Sequence, residues 1–251
     1  MKLTEHMERV ELTYSGYCER CGVVHSIGSG ASLKFGTELF DKLVETGSLL
    51  LQKTDEYSTE PLLGNSRGQM FGVMTCLDCF GNETVIKAFS GQYNGEWIVP
   101  GWVPPVIDVE AFNRITPPSD EKIKELGAAI MEEADADVKA EISAQRREMS
   151  RSLMEKTHDL YTLRNFRGEE KLLREVYRRG RGIPTGTADC CAPKLINYAA
   201  RNDLVPTGMC EFYLGRENAS GTKKHGVFYS SCVEKCEPIL GFMLCGLNEN
   251  E

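Results

Sequence analysis

Ten cysteines are spread over 251 residues, and eight of them fall in close pairs. Cys18 and Cys21 stand in "YCERCGVVH", Cys76 and Cys79 in "TCLDCF", Cys190 and Cys191 in "DCCAPKLI", and Cys232 and Cys236 in "SSCVEKCEPIL". Thiols that share a metal ion must converge in space, however far apart they lie in sequence, so this pattern constrains the fold strongly. No apolar run approaches the length of a membrane span, and the opening "MKLTEHMERVELTY" does not read as a signal peptide. The expected location is therefore the cytoplasm, where paired cysteines point to metal binding or buried thiols rather than to disulfides.

The first constellation joins Cys18 and Cys21, at the spacing of a zinc knuckle, to the "CLDC" pair of Cys76 and Cys79. Gly22 supplies the tight turn after the first pair, and two such pairs can close a tetrahedral thiolate site for Zn2+. His25 is an alternative ligand in place of one thiol. Packing is the competing role, with Cys76 on a buried strand and Cys79 in a turn.

The second constellation is Cys190, Cys191, Cys232 and Cys236. Cys190 falls at the start of an expected helix over 193–200, where a thiol ionises readily. Cys232 and Cys236 face the same way if "SSCVEKCEPIL" opens a helix. Three thiolates on Cys190, Cys232 and Cys236 would leave one zinc position open, which is a catalytic arrangement. Cys210 and Cys245 sit among apolar neighbours and are expected in the core. Further polar candidates are Glu211, which needs a partner such as Arg216 or a lysine if it lies within a sheet, and His225, an acid–base group or phosphate contact beside Lys223 and Lys224. His158 reads as structural.

The N-terminal part, to about residue 118, reads as β-rich. Runs over 70–76 and 84–89 flank the turn-forming "CFGNE" and predict a hairpin. Helices are expected from Ser119 as N-cap, over 138–163 with Ile142, Met149, Leu153, Leu160 and Leu163 as an apolar stripe, and over 170–177. The expected division is a β-rich domain 1–118, a helical basic connector 119–180 and a metal-binding segment 181–251. The formal net charge is −8, which argues against nonspecific nucleic-acid binding by the whole surface. The charge is uneven, however. Residues 146–181 hold 11 Lys+Arg against 6 Asp+Glu, whereas residues 120–141 hold 8 acids against 3 lysines. Arg146, Arg147 and Arg151 are accordingly candidates for nucleic-acid contacts, with a solvated helix face as the alternative.

"DCCAPKLI" with "CVEKCEPIL" resembles the zinc-binding pattern of the cytidine deaminase-like superfamily. Matching on Pro193 and Lys194 places the first zinc ligand at Cys190 and the later pair at Cys232 and Cys236. The pattern departs in two places: Ala192 stands where the family carries its proton-shuttling glutamate, and the later pair is separated by three residues rather than two. The resemblance implies an α/β, or α+β, C-terminal half of deaminase-like fold, with Asp189, Glu211 or Glu234 in place of the missing acid. Across nearly the whole chain, "AFSGQYNG", "GWVPPVIDV", "LYTLRNFRGE", "GMCEFYLGREN" and "HGVFYSSCVEKCEPILGFML" resemble the N-terminal extension of long bacterial pseudouridine synthases. In those proteins the synthase domain follows this region, so synthase activity is not expected of these 251 residues. The implied context is RNA modification.

Together these features lead to the expectation of a zinc-dependent enzyme of nucleobase or RNA modification, with RNA (transfer or ribosomal) or a nucleotide as substrate and no membrane partner. The alternatives are a non-catalytic RNA-binding accessory with structural zinc, and a small-molecule enzyme that uses Cys191 as nucleophile. The expected catalytic residues are Asp189, Cys191, Glu211 and His225.

Overall fold

A computed structural model describes residues 12–64, 66–180 and 182–247. The chain forms a mixed α+β fold. In order, it runs through β1 (Thr13–Cys18), β2 (Val23–Gly28), α1 (Ser32–Thr46), α2 (Glu60–Leu63), β3 (Gln69–Leu77), β4 (Glu83–Phe89), α3 (Val109–Glu132), α4 (Ala136–His158), β5 (Thr162–Arg164), β6 (Glu170–Leu172), α5 (Leu173–Val176), α6 (Cys191–Arg201), β7 (Val205–Leu214), β8 (Phe228–Tyr229) and α7 (Glu237–Met243).

The expected hairpin forms, as β3 and β4 in antiparallel register from Phe71 opposite Phe89 to Leu77 opposite Glu83. Its turn is closed by Asp78, whose carboxylate accepts from the backbone N–H groups of Phe80 and Asn82. The central sheet has the order β4-β3-β7-β8. β7 lies antiparallel along almost the full length of β3, with Phe71 opposite Phe212 and Val73 opposite Cys210. Residues 205–214 therefore share a sheet with residues 69–77, and one buried cluster includes Phe71, Val73, Leu195, Phe212 and Leu240. The outer segments of the expected division thus share one sheet and one buried cluster.

Of the α/β and α+β classes expected of the C-terminal half, α+β describes the fold. That half contributes β7 and β8 to the central sheet, and both pair antiparallel to their neighbours.

The helical segment differs in its boundaries. α3 begins ten residues before Ser119, capped by Asp108, whose side chain accepts from the Ala111 N–H at 2.9 Å. Pro117 and Pro118 lie inside α3, and Ser119 donates instead to the Ile115 carbonyl at 3.0 Å. The proline pair reads as a helix boundary because each proline removes an N–H donor, but the helix runs through them. α4 ends at His158, and Leu163 belongs to the short β5–β6 hairpin, where it is fully buried. α3 and α4 fold back on one another, and within them only Ala111 and His158 are buried. Among the described residues no helix is long and apolar enough to cross a membrane.

α6 packs on β3, β4 and β7. Gly72 on β3 makes room for it, since a Cβ there would meet the Cys191 Cβ at 2.7 Å. α7 packs on β1 at backbone distance. A Cβ on Gly241 would meet the Tyr17 carbonyl, and one on Gly16 would meet the backbone of Gly241 and Glu237. Neither contact can relax by moving a flexible side chain. Gly241→Ala should therefore destabilise the protein by about 3 kcal/mol or more, read from its denaturation midpoint. A change within ±0.5 kcal/mol would show that α7 and β1 are not held at this distance.

Candidate metal centres and cleft

Two groups of side chains converge closely enough to hold a metal ion, each with its ligand atoms within 4.8 Å of one another. One contains Cys18, Cys21, His25 and Cys245, and the other contains Cys190, Cys232 and Cys236.

The first group is built on the β1–β2 hairpin. Cys18 closes β1, and its carbonyl accepts from the Gly22 N–H at 2.9 Å. Gly22 is in the left-handed region at φ 68°, as a knuckle turn requires. His25 lies on β2, and its Nε2 is buried without a hydrogen-bond partner. The fourth member, Cys245, comes from the turn after α7, with its Sγ 3.5 Å from that of Cys21. Burial pushes the Cys18 thiol up, but hydrogen bonds from the Cys21 backbone and from the Cys245 and Cys21 thiols outweigh it, and the net shift is downward. Cys21 is pushed up to about 11, first by its hydrogen bond with Cys245. Three thiols with one imidazole lacking a partner are four donors, a set consistent with metal binding.

This arrangement corrects two expectations. Cys245 is buried, as expected of a core residue, but it converges with the knuckle. Cys76 and Cys79 belong to neither group. Cys76 is buried on β3, where burial raises its thiol to about 12, and Cys79 is exposed in the β3–β4 turn. The hairpin that carries them pairs with β7 rather than with β1, so they do not reach the knuckle.

The second group is brought together by two elements. Cys190 is the N-cap residue of α6, and Cys232 and Cys236 flank the turn that leads into α7. That turn is closed by the Cys236 N–H on the Cys232 carbonyl at 3.1 Å, with the two Sγ atoms 3.4 Å apart. Hydrogen bonds with the Cys190 and Cys236 thiols pull Cys232 down to about 2, whereas Cys236 is pushed up by its hydrogen bonds with Cys190 and then Cys232, together with burial. A divalent cation held by the three thiols would favour their ionisation.

Glu211 on β7 sits within this electrostatic neighbourhood. Its side chain is 5% exposed, and Oε1 accepts from the Ala192 N–H at 2.6 Å. Burial raises its carboxyl to about 7; the Ala192 N–H and the Lys223 charge oppose this shift, and the Cys232 thiolate adds to it. The expected partner Arg216 lies elsewhere, with its backbone bonded to Leu62 and Gly68. The Glu211 N–H donates to the Tyr14 hydroxyl at 2.7 Å, and Tyr14 donates in turn to the Tyr229 carbonyl. The Glu211 carboxyl on β7 thus lies against the backbone of Ala192 at the start of α6.

The other candidate residues are distributed as follows. Asp189 is half-buried, accepts from the Tyr161 hydroxyl at 2.9 Å, and lines the same cleft as Cys190 and Cys232. Cys191 is fully enclosed under α6, with its thiol on the Met70 carbonyl at 3.4 Å and its ionisation strongly opposed by burial. That environment suits packing and not a nucleophile. His225 accepts from the Gly215 N–H and packs on Phe40, and burial pulls its pKa down. Glu234 is exposed, and its carbonyl accepts from the Tyr177 hydroxyl. Lys223 stands over the Tyr229 ring at 3.6 Å and lines the cleft, whereas Lys224 is exposed. Arg146, Arg147 and Arg151 are exposed on α4, and Arg151 pairs with Glu148 at 3.0 Å. Arg181, at the end of the basic run, lies outside the described residues.

A residue missed in the sequence is Lys194. It is 1% exposed and donates to the carbonyls of Phe89 and Gly91 at 2.9 and 2.7 Å. It thereby ties α6 to the β4 edge of a cleft of about 540 Å³ that opens beside Cys190 and Cys232. Its signal was a lysine in an otherwise apolar helix, which must find buried acceptors.

No known family, curated protein or solved structure matches this chain. What the fold and the two groups define is a mixed α+β protein with side chains consistent with metal binding at two places.

Protein purified without chelator should carry about two zinc ions per chain by elemental analysis. Cys76→Ser and Cys79→Ser should leave that count unchanged. Loss of zinc in either variant would restore the four-cysteine knuckle and contradict the grouping around Cys245.

Proposed function

We propose that the protein is a zinc-dependent hydrolytic enzyme of deaminase-like chemistry, acting on a nucleobase in RNA or in a nucleotide. The observation that carries this reading is the buried Glu211 carboxyl in the electrostatic neighbourhood of three converging thiols, one donor fewer than a tetrahedral ion takes. The resemblance of "DCCAPKLI" and "CVEKCEPIL" to the deaminase pattern supports it, because Glu211 fills the role that Ala192 leaves vacant.

Cys190, Cys232 and Cys236 would hold the ion, and a three-cysteine set is one of those used by zinc deaminases. Zinc bound there supplies the Lewis acidity that makes water a nucleophile at neutral pH. Glu211 would carry the proton transfers. In a hydrolytic deamination the water oxygen replaces an exocyclic amine, which leaves as ammonia. Glu211 would take a proton from the water and deliver it to the departing nitrogen. The Ala192 N–H holds one carboxylate oxygen, which orients the group. Lys223, Lys235 and Arg67 line the cleft as cations for phosphate, and Gln69, Gln92 and Asn218 offer hydrogen bonds to a base. The exposed arginines of α4 would extend the contact to a longer RNA.

The test uses Glu211→Gln with unmodified RNA and free nucleosides as substrates. Ammonia release should fall by about 10²–10⁴-fold while zinc content and the folded state are retained. Unchanged turnover in Glu211→Gln would remove the carboxyl from the chemistry. If the wild type binds RNA yet releases no ammonia from any of these substrates, the RNA-binding accessory reading takes its place.

A further inference from the structure

The two metal groups are not independent parts of the fold. Cys236 is the N-cap of α7, and Cys245 lies two residues beyond its end at Met243. A helix of seven residues spans about 10 Å, so the groups are held at opposite ends of one short rigid rod. The rod has little freedom against its neighbour, since Gly241 and Gly16 bring α7 and β1 to backbone contact. Ile239, Leu240 and Met243 are fully buried. β1 ends at Cys18 in the first group, and the same strand carries Tyr14, whose hydroxyl accepts from the Glu211 N–H.

We infer that Cys18, Cys21, His25 and Cys245 form a closed structural zinc site that sets the geometry of the open Cys190–Cys232–Cys236 site through α7 and β1. The unpartnered His25 Nε2 and the convergence of two segments from opposite ends of the described chain are the observations that point to an ion there. Four protein ligands leave no position for substrate, so the role is positional. An ion in this site fixes the C-terminal end of α7 against the end of β1. The N-terminal end of α7, with Cys236 and the turn to Cys232, follows as a unit. Tyr14 carries the same constraint to the strand that bears Glu211. The inference rests on reading Cys190, Cys232 and Cys236 as a metal centre, but not on the reaction performed there.

Thermodynamic linkage makes the idea testable, because coupling between two sites must be reciprocal. In Cys21→Ser only the open site is complete, and in Cys232→Ser only the closed one. Zinc affinity of each remaining site is measured by chelator competition on the full-length chain and compared with the same site in the wild type. Each site should lose about 10–100-fold in affinity when the other is broken, the range seen when outer-shell support of a metal ligand is removed. The two factors should agree. If Cys21→Ser fails to fold, His25→Ala replaces it, and stepwise cobalt titration of the wild type gives a second readout, in which coupled sites fill cooperatively. Equal affinities with and without the partner site, or independent filling in the titration, would overturn the inference. A wild-type protein that binds a single ion would overturn it as well. None of these readouts involves ammonia release, so failure of the proposed reaction would leave the coupling result standing.

Discussion

β3 and β7 come from distant parts of the chain, and their antiparallel pairing is the interaction on which the remaining architecture depends. It places Glu211 at the middle of the sheet, opposite Gly72, and Gly72 in turn lets the start of α6 settle over the same spot. The Ala192 N–H then reaches the Glu211 carboxyl, and Cys190 at the head of α6 arrives beside the turn that carries Cys232 and Cys236. Without this pairing the thiols would have no shared location and the carboxyl no reason to be buried. A buried carboxyl with a single backbone N–H donor is costly unless its charge is shared or it takes up a proton. Under the proposed function that cost would fall where a proton-handling group is needed.

Several parts of this arrangement were legible in the sequence because they are local. The β3–β4 hairpin announced itself through two strand-like runs around a turn, and Asp78 closes that turn from within. The Cys18–Cys21 knuckle needed only its spacing and Gly22. The thiols of the second group were legible because helix starts restrict where a side chain can go. Cys190 sits one residue before the first turn of α6, and Cys232 and Cys236 flank the turn into α7.

Other parts were illegible for a physical reason. Cys245 stands in "GFMLCGL", where a lone cysteine is indistinguishable from a small apolar residue, and its partner Cys21 lies 224 positions away. Only the packing of α7 on β1 brings them together. The "CLDC" pair misled because its spacing matches a knuckle, whereas its strand is committed to β7. Glu211 could be named as a candidate, but its donor could not, because the Ala192 N–H becomes available only once α6 lies over β7. Pro117 and Pro118 suggested a boundary that α3 does not respect, since the capping strength of Asp108 is not visible beside two helix-breaking residues.

The central claim is that one ion sits in a closed set of three sulfurs and one nitrogen and another in an open set of three sulfurs. X-ray absorption at the zinc edge of the purified protein measures this composition directly. The account predicts an averaged shell of about three sulfurs per zinc near 2.3 Å, with about one lighter ligand near 2.0–2.1 Å. In Cys232→Ser the remaining ion should still show three sulfurs and one imidazole. A shell of four sulfurs with no imidazole would contradict the account, as would protein that folds fully without zinc.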